Sequence, residues 1–300
     1  MLVLSVKGTW RAALVLVAFA LAACGPQIGA LERGEEGRVA RAFSGDTLVL
    51  DSGLRVFLAE IDAPQGEAAY AAQAQGELEA LTLHREVLLA YGGTRRWVRR
   101  GEPPEAPVQS PPEVAAAAAE TAAPSETAIA HVFVKSEGGR WFWLQHELVA
   151  RGAAYVRPRR DNHARTAELM EIETRARAGE RGMWARREYR PLNVRTATRA
   201  ALATEASCMR GDAPYRVVEG RVREAQTFER RAALAMENTA EDVPFALVVF
   251  GENFANWDGP QLNTLTGARV RARGPLGVFH GQPQLCLEHS SQLEVPEVGD

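Results

Sequence analysis

Two stretches of strand-like pattern, with helical patterns between them, organise the chain. Apolar positions alternate with polar ones, or run together, through residues 37–43 and 47–61, which predicts strands joined by SGD and DSG turns. Within residues 69–83, leucines and alanines recur at helical spacing, and residues 84–91 return to a strand pattern. The first part of the chain therefore predicts strands, then a helix, then a further strand.

A proline- and alanine-rich insert interrupts this pattern. Residues 101–127 contain six prolines, an alanine run and almost no large apolar side chain, so we expect the insert to be disordered or an exposed loop. A strand pattern resumes at residues 128–134. A short helix is predicted over residues 144–151, and a longer one over residues 161–182.

The last third of the chain has a different pattern. Residues 187–211 are polar and are predicted to form a linker. Residues 212–296 carry about five short apolar stretches separated by glycine turns, which is typical of a small β-barrel. The pattern therefore predicts two domains, residues 37–186 and residues 212–296.

The N-terminus has the features of a targeting segment. A basic start is followed by an apolar run of about 12 residues, too short to span a bilayer comfortably, and then by LAAC ending at Cys24. This resembles the lipobox of bacterial lipoproteins, which implies removal of residues 1–23, lipidation of Cys24 and a short tether over residues 24–36. The resemblance implies a lipid-anchored envelope protein, at the outer membrane, facing the periplasm or the cell surface. A plain signal peptide with a chance cysteine, or an uncleaved anchor, remains open.

Two cysteines are left once Cys24 is set aside. In an oxidising periplasm, Cys208 and Cys286 are expected to form a disulfide. The alternative is two separate buried thiols.

The charge of the chain gives little support to a nucleic-acid partner. The formal net charge is −3, without a global basic footprint. Residues 212–296 hold eight arginines against eleven acidic residues. Arg269, Arg271 and Arg273 alternate along one predicted strand, and we interpret them as a solvated strand face.

Five motifs follow one another in a fixed order between residues 37 and 186: SGDT, IDAP, AHVFV, LVARGAAYV and GMW. In this order they resemble the staphylococcal-nuclease (thermonuclease) family. The resemblance implies an OB-type five-stranded barrel with three helices. Residues 212–296 resemble the OB-like extension that follows such domains in some Gram-negative bacteria. The fold class is therefore expected to be mainly β with helices (α+β), with a second small β-barrel.

The family's chemistry is calcium-dependent hydrolysis of nucleic-acid phosphodiester bonds. The resemblance implies that Asp46 of SGDT and Asp62 of IDAP would bind calcium, with the backbone carbonyl of Ala63 as a further oxygen ligand. Calcium is thus the expected cofactor. A second interpretation stays open, in which both aspartates cap turns without a metal.

The other positions of the family's catalytic set depart from its pattern. Phe57 and Thr127 stand where the family has its two arginines, and Gln65 stands where it has the glutamate that activates water. Loss of one transition-state donor typically lowers the rate by ~10²–10³. Loss of a general base lowers it by ~10²–10⁴. We therefore expect a binding or assembly role on a nuclease-type barrel.

Two other functions remain open. In the first, Arg55, Glu67 and Arg96 form a displaced catalytic set, and the protein is an active calcium-dependent nuclease acting on DNA or RNA. In the second, the chain is a structural spacer, and residues 101–127 bind another envelope protein.

Overall fold

The computed structural model describes residues 26–66, 68–99, 126–202, 204, 206–208, 213–237, 239, 241–255 and 257–296. Strand makes up 39% of the structure and helix 24%, so the fold is mainly β with helices, as the sequence predicted.

The first domain contains nine strands and three α-helices within these residues. The strands are β1 (Glu32–Ala42), β2 (Thr47–Leu50), β3 (Arg55–Leu58), β4 (Ile61–Asp62), β5 (Glu86–Tyr91), β6 (Trp97–Arg99), β7 (Glu126–Lys135), β8 (Trp141–Trp143) and β9 (Tyr155–Val156). The helices are α1 (Ala71–Thr82), α2 (Leu144–Ala150) and α3 (Thr166–Ala178).

Five of these strands close into a barrel. The ring runs β1–β2–β3–β7–β5 and returns to β1, and β3 and β7 are its only parallel pair. If the five strands are counted in chain order, the ring reads 1-2-3-5-4, which is the OB arrangement that the sequence predicted. The leucines and alanines of α1 and α3 that have helical spacing are buried against the barrel.

The second domain repeats this arrangement. Its strands are β10 (Leu192–Asn193), β11 (Tyr215–Phe228), β12 (Arg231–Met236), β13 (Ala246–Phe250), β14 (Arg269–Phe279), β15 (Gln282–Leu287) and β16 (Leu293–Glu294). Its α-helices are α4 (Arg199–Leu202) and α5 (Gly251–Ala255). The ring β11–β12–β13–β15–β14 closes on β11, and β13 and β15 are parallel, so its strand order is again 1-2-3-5-4.

Three segment boundaries differ from those predicted. β1 begins at Glu32, inside the predicted tether, because its first residues pair with the end of β5. β7 begins at Glu126, so the last two residues of the predicted insert belong to a barrel strand; residues 100–125 lie outside the described residues. The predicted linker contains β10, which pairs with β11, and a 3-10 turn whose Val194 is fully buried in the second core.

The two barrels share buried contacts. Tyr215 and Val217, at the start of β11, belong to the hydrophobic core of the first barrel. Arg273 of β14 is fully buried and donates to Glu173 of α3 at 2.7 Å. A disulfide joins Cys208 and Cys286, with 6.0 Å between their Cα atoms.

Candidate functional site between the two barrels

Asp46 lies in the turn between β1 and β2 and is buried. Its Oδ1 accepts hydrogen bonds from the hydroxyls of Ser44 (2.7 Å) and Thr47 (3.0 Å). Its Oδ2 accepts from the backbone N–H of Ala63 and from Nε2 of Gln65, both at 2.9 Å. Each carboxylate oxygen therefore already has two protein donors.

The environment of Asp46 also changes its acidity. Burial raises the pKa of Asp46 from its ordinary 3.8 to about 6, and the nearby charge of Asp62 adds to this. The hydrogen bonds donated to the carboxylate act in the opposite direction but do not outweigh burial.

Asp62 is paired with an arginine. β4 and β9 are antiparallel neighbours that place Asp62 opposite Tyr155, and Arg157 follows directly after β9. Nη1 of Arg157 donates to Oδ2 of Asp62 at 2.6 Å. The Arg157 side chain is 4% exposed and that of Asp62 19%. A buried guanidinium thus neutralises the carboxylate.

Arg157 also contacts the second barrel. Its guanidinium lies over the ring of Tyr215, 5.0 Å from the centroid. Burial alone would lower the pKa of Arg157, but the charges around it, that of Asp62 first, raise it above its ordinary value. Arg157 is therefore a permanent cation at this position.

These contacts do not fit a calcium ion. Calcium takes six to eight oxygen ligands, whereas both oxygens of Asp46 are occupied by donors and Asp62 is bound to Arg157. The Ala63 contact seen here is made by its N–H, and the role predicted for its carbonyl stays a prediction. No cluster of three or more His, Cys, Asp or Glu suited to a metal occurs among the described residues. The guanidinium stands beside Asp62 where a cation would be needed.

The three substituted catalytic positions lie in the first barrel in different surroundings. Phe57 of β3 pairs with Thr47 of β2, and Thr127 of β7 pairs with Arg55. Gln65 uses its amide N–H to donate to Asp46. Gln65 therefore acts on the aspartate as a donor, which is the opposite of a general base.

Of the alternative catalytic set, the structure describes Arg55 and Arg96. The guanidinium of Arg55 lies 4.3 Å from the centroid of the Phe43 ring. Arg96 forms a bidentate salt bridge with Glu32, with N–O distances of 2.9 and 2.5 Å. Glu67 lies outside the described residues. Arg96 is thus paired with a carboxylate outside the aspartate pair.

A cavity of about 430 Å³ opens beside Asp62. The first barrel contributes Asp62, Gln65 and Tyr155 to its wall, and the second barrel contributes Tyr215 and Arg216. Residues of both barrels therefore line this cavity, whereas the residues that the resemblance implied all belong to the first barrel.

Sequence reasoning missed Arg157 and the tyrosines of this cavity. The stretch YVRPRR carries the one available signal, a run of arginines directly after a buried strand. Nothing in that run distinguishes Arg157 from its exposed neighbour Arg160, because the pairing of β4 with β9 decides which arginine meets Asp62.

The targeting segment, including Cys24, lies outside the described residues. In the part of the chain that the structure does describe, no helix has the length and apolar character needed to cross a membrane.

Comparison with known proteins leaves the chain unassigned. Neither protein-family models nor curated proteins gave a match. The likeness to the nuclease family therefore rests on the motifs quoted above.

Proposed function

We propose that this chain is a lipid-anchored envelope protein whose nuclease-type barrel binds a ligand or takes part in assembly and does not hydrolyse nucleic acid. One observation carries the proposal: Arg157 neutralises Asp62 at 2.6 Å. The positions that hydrolysis needs hold Phe57, Gln65 and Thr127. An aromatic ring, an amide and a hydroxyl cannot replace two guanidiniums and a carboxylate in phosphoryl transfer.

Incubation with nucleic acid tests the absence of hydrolysis. The soluble chain from Gly25 onward is incubated with single- and double-stranded DNA and RNA, with calcium or with a chelator. The expected result is no calcium-dependent cleavage by protein that circular dichroism shows to be folded. Asp62→Ala controls for contaminating nuclease. Cleavage that needs calcium and disappears in Asp62→Ala would overturn the proposal in favour of an active nuclease.

The anchor is tested in cells. Cys24 is expected to carry the lipid, so the wild type should enter the membrane fraction and incorporate labelled fatty acid. Cys24→Ser removes the only thiol that the lipid could modify and should abolish the labelling. Labelling that persists in Cys24→Ser would contradict the lipoprotein assignment.

A further inference from the structure

The cavity between the barrels presents polar groups that a ligand can reach. Asp62 and Tyr155 both line it. Arg157 donates to Oδ2 of Asp62 at 2.6 Å, and the Asp62 side chain is still 19% exposed. A ligand with hydroxyl or amide groups can therefore form hydrogen bonds with this carboxylate and with the Tyr155 phenol.

The charges of the described part of the cavity wall balance. Asp62 and Glu188 contribute two carboxylates, and Arg157 and Arg216 two guanidiniums. Phosphate groups are bound by a surplus of cationic donors, and the described residues of this wall provide none. A neutral ligand is therefore favoured over a nucleotide.

The rest of the wall is aromatic or apolar. Tyr155, Tyr189 and Tyr215 line the cavity, and the ring centroid of Tyr155 lies 6.1 Å from that of Tyr189 and 5.8 Å from that of Tyr215. Its volume of about 430 Å³ is within the usual range for small-molecule sites. The ligand should therefore combine apolar surface with groups that both donate and accept.

Sugars meet these requirements. A hydroxyl donates to a carboxylate such as Asp62 and also accepts from a phenol such as Tyr155. The C–H faces of a pyranose ring are apolar and pack against tyrosine rings. OB barrels bind oligosaccharides as well as oligonucleotides, and both domains have this strand order.

We propose that the cavity binds a neutral mono- or disaccharide, with its hydroxyls on Asp62 and Tyr155 and its ring against the tyrosine wall. This inference deepens the proposed binding function and rests on it. Both barrels contribute to the site, so binding requires the two-domain chain.

Calorimetric titration of the chain from Gly25 with cellobiose, maltose and di-N-acetylchitobiose tests the proposal. The three sugars separate plain glucose disaccharides from N-acetylated ones, and the dinucleotide dTdT is the anionic comparison. At least one disaccharide is expected to bind with a Kd of about 1 mM or tighter and dTdT to bind at least about tenfold more weakly. No heat from any disaccharide, or tighter binding of dTdT, would overturn the proposal.

Tyr155→Phe removes the phenol hydroxyl that lines the cavity and keeps the ring. It should weaken disaccharide binding at least about tenfold without lowering the thermal midpoint. Arg269→Ala, at an exposed arginine of the second barrel outside the cavity wall, is the matched control and should bind as the wild type does. Equal affinity of Tyr155→Phe and wild type would contradict the proposed contact.

The titration with disaccharides and the incubation with nucleic acid distinguish failure of the sugar site from failure of the proposed function. A chain that neither cleaves nucleic acid nor binds a disaccharide would remove the sugar site and leave the non-hydrolytic role in place. A chain that binds a disaccharide and also shows cleavage lost in Asp62→Ala would keep the site and remove that role.

Discussion

Asp46 is held by four donors in a buried turn. Two are hydroxyls, which can also accept, and two are N–H groups, which cannot. The hydrogen bonds connect the turn before β2 to the segment after β4. Asp46 therefore fixes the position of Asp62, one residue before Ala63, whether or not any ligand is bound.

Asp46→Asn should be tolerated and Asp46→Ala should not. Asparagine can turn its carbonyl to the two N–H donors and its NH₂ to the two hydroxyls. Alanine leaves the buried Ala63 N–H without an acceptor, at about 1–3 kcal/mol, and also removes the acceptor of the partly buried Gln65 amide. Urea unfolding at pH 7 measures the difference, and equal stability of the two variants would show that the donors are satisfied in another way.

The pH dependence of stability has a definite sign. Because the pKa of Asp46 is about 6 when folded and ordinarily 3.8, the native state binds more protons between these values. The contribution of Asp46 to the free energy of unfolding is therefore largest below pH 4 and is lost as the pH rises through 6. The total loss is about 3 kcal/mol. The same urea series in Asp46→Asn should lack this slope between pH 4 and 6. If the slope between pH 4 and 6 is the same in Asp46→Asn as in the wild type, the pH dependence comes from another group.

The Asp62–Arg157 pair should make the protein insensitive to calcium. Millimolar calcium is expected to leave the thermal midpoint of the wild type unchanged, because the guanidinium already neutralises Asp62. Arg157→Gln removes that charge and should destabilise the fold by about 2–4 kcal/mol. Arg151→Gln, at an arginine 45% exposed, is the control and should have little effect. A rise in the wild-type midpoint with calcium would restore the metal site that the motifs implied.

At the scale of residues, the sequence located the aspartates but not their partners. SGDT places Asp46 in a turn, and IDAP places Asp62 at the end of the short strand β4, because glycine and proline break strands there. Glu60, which lies two residues before Asp62, receives bonds from His131, Arg165 and Thr166. These partners lie at least 71 positions away in the chain, so no local pattern indicates them.

At the scale of elements, strand β14 shows what the alternation of side chains along a strand predicts and what it does not. The alternating residues Arg269, Arg271 and Arg273 were interpreted as a solvated face, and Arg269 is exposed. Arg273 is instead fully buried between Glu173 of α3 and Glu294 of β16, at 2.7 Å from each. Alternation places the three side chains on one face correctly. It does not show that α3 of the other domain covers one end of that face.

Arg273 and Arg271 therefore provide a matched pair of substitutions. Arg273→Met leaves Glu173 buried without its closest cation and should cost about 3–5 kcal/mol in the free energy of unfolding. Arg271→Met removes a partly exposed pair with Glu219 and should cost under about 1 kcal/mol. Guanidinium unfolding measures both, and similar losses would mean that the buried pair adds nothing specific to the contact between barrels.

At the scale of the whole molecule, the two barrels are joined by apolar and charged contacts together. Tyr215 packs on Tyr155 with ring centroids 5.8 Å apart, and its hydroxyl donates to the carbonyl of Val156 at 3.3 Å. The predicted linker also packs into the second core through Val194. The repeated strand order was predictable from the strand patterns and the resemblance, but the joint between the domains depends on long-range contacts that those patterns do not encode.

These contacts predict that both barrels unfold together. Differential scanning calorimetry of the full chain from Gly25 should give one transition whose calorimetric and van't Hoff enthalpies agree, because Tyr215 and Val217 belong to the first core although they lie in the second barrel. Tyr215→Ala should lower the free energy of unfolding by about 3–5 kcal/mol and separate the transition into two. Phe279→Ala, at a ring 51% exposed on the second barrel, is the control and should leave one transition. Two transitions in the wild type would show that the barrels unfold independently. The cavity between them would then be only as stable as their contact. The affinity for a ligand that must touch both barrels would be lowered accordingly.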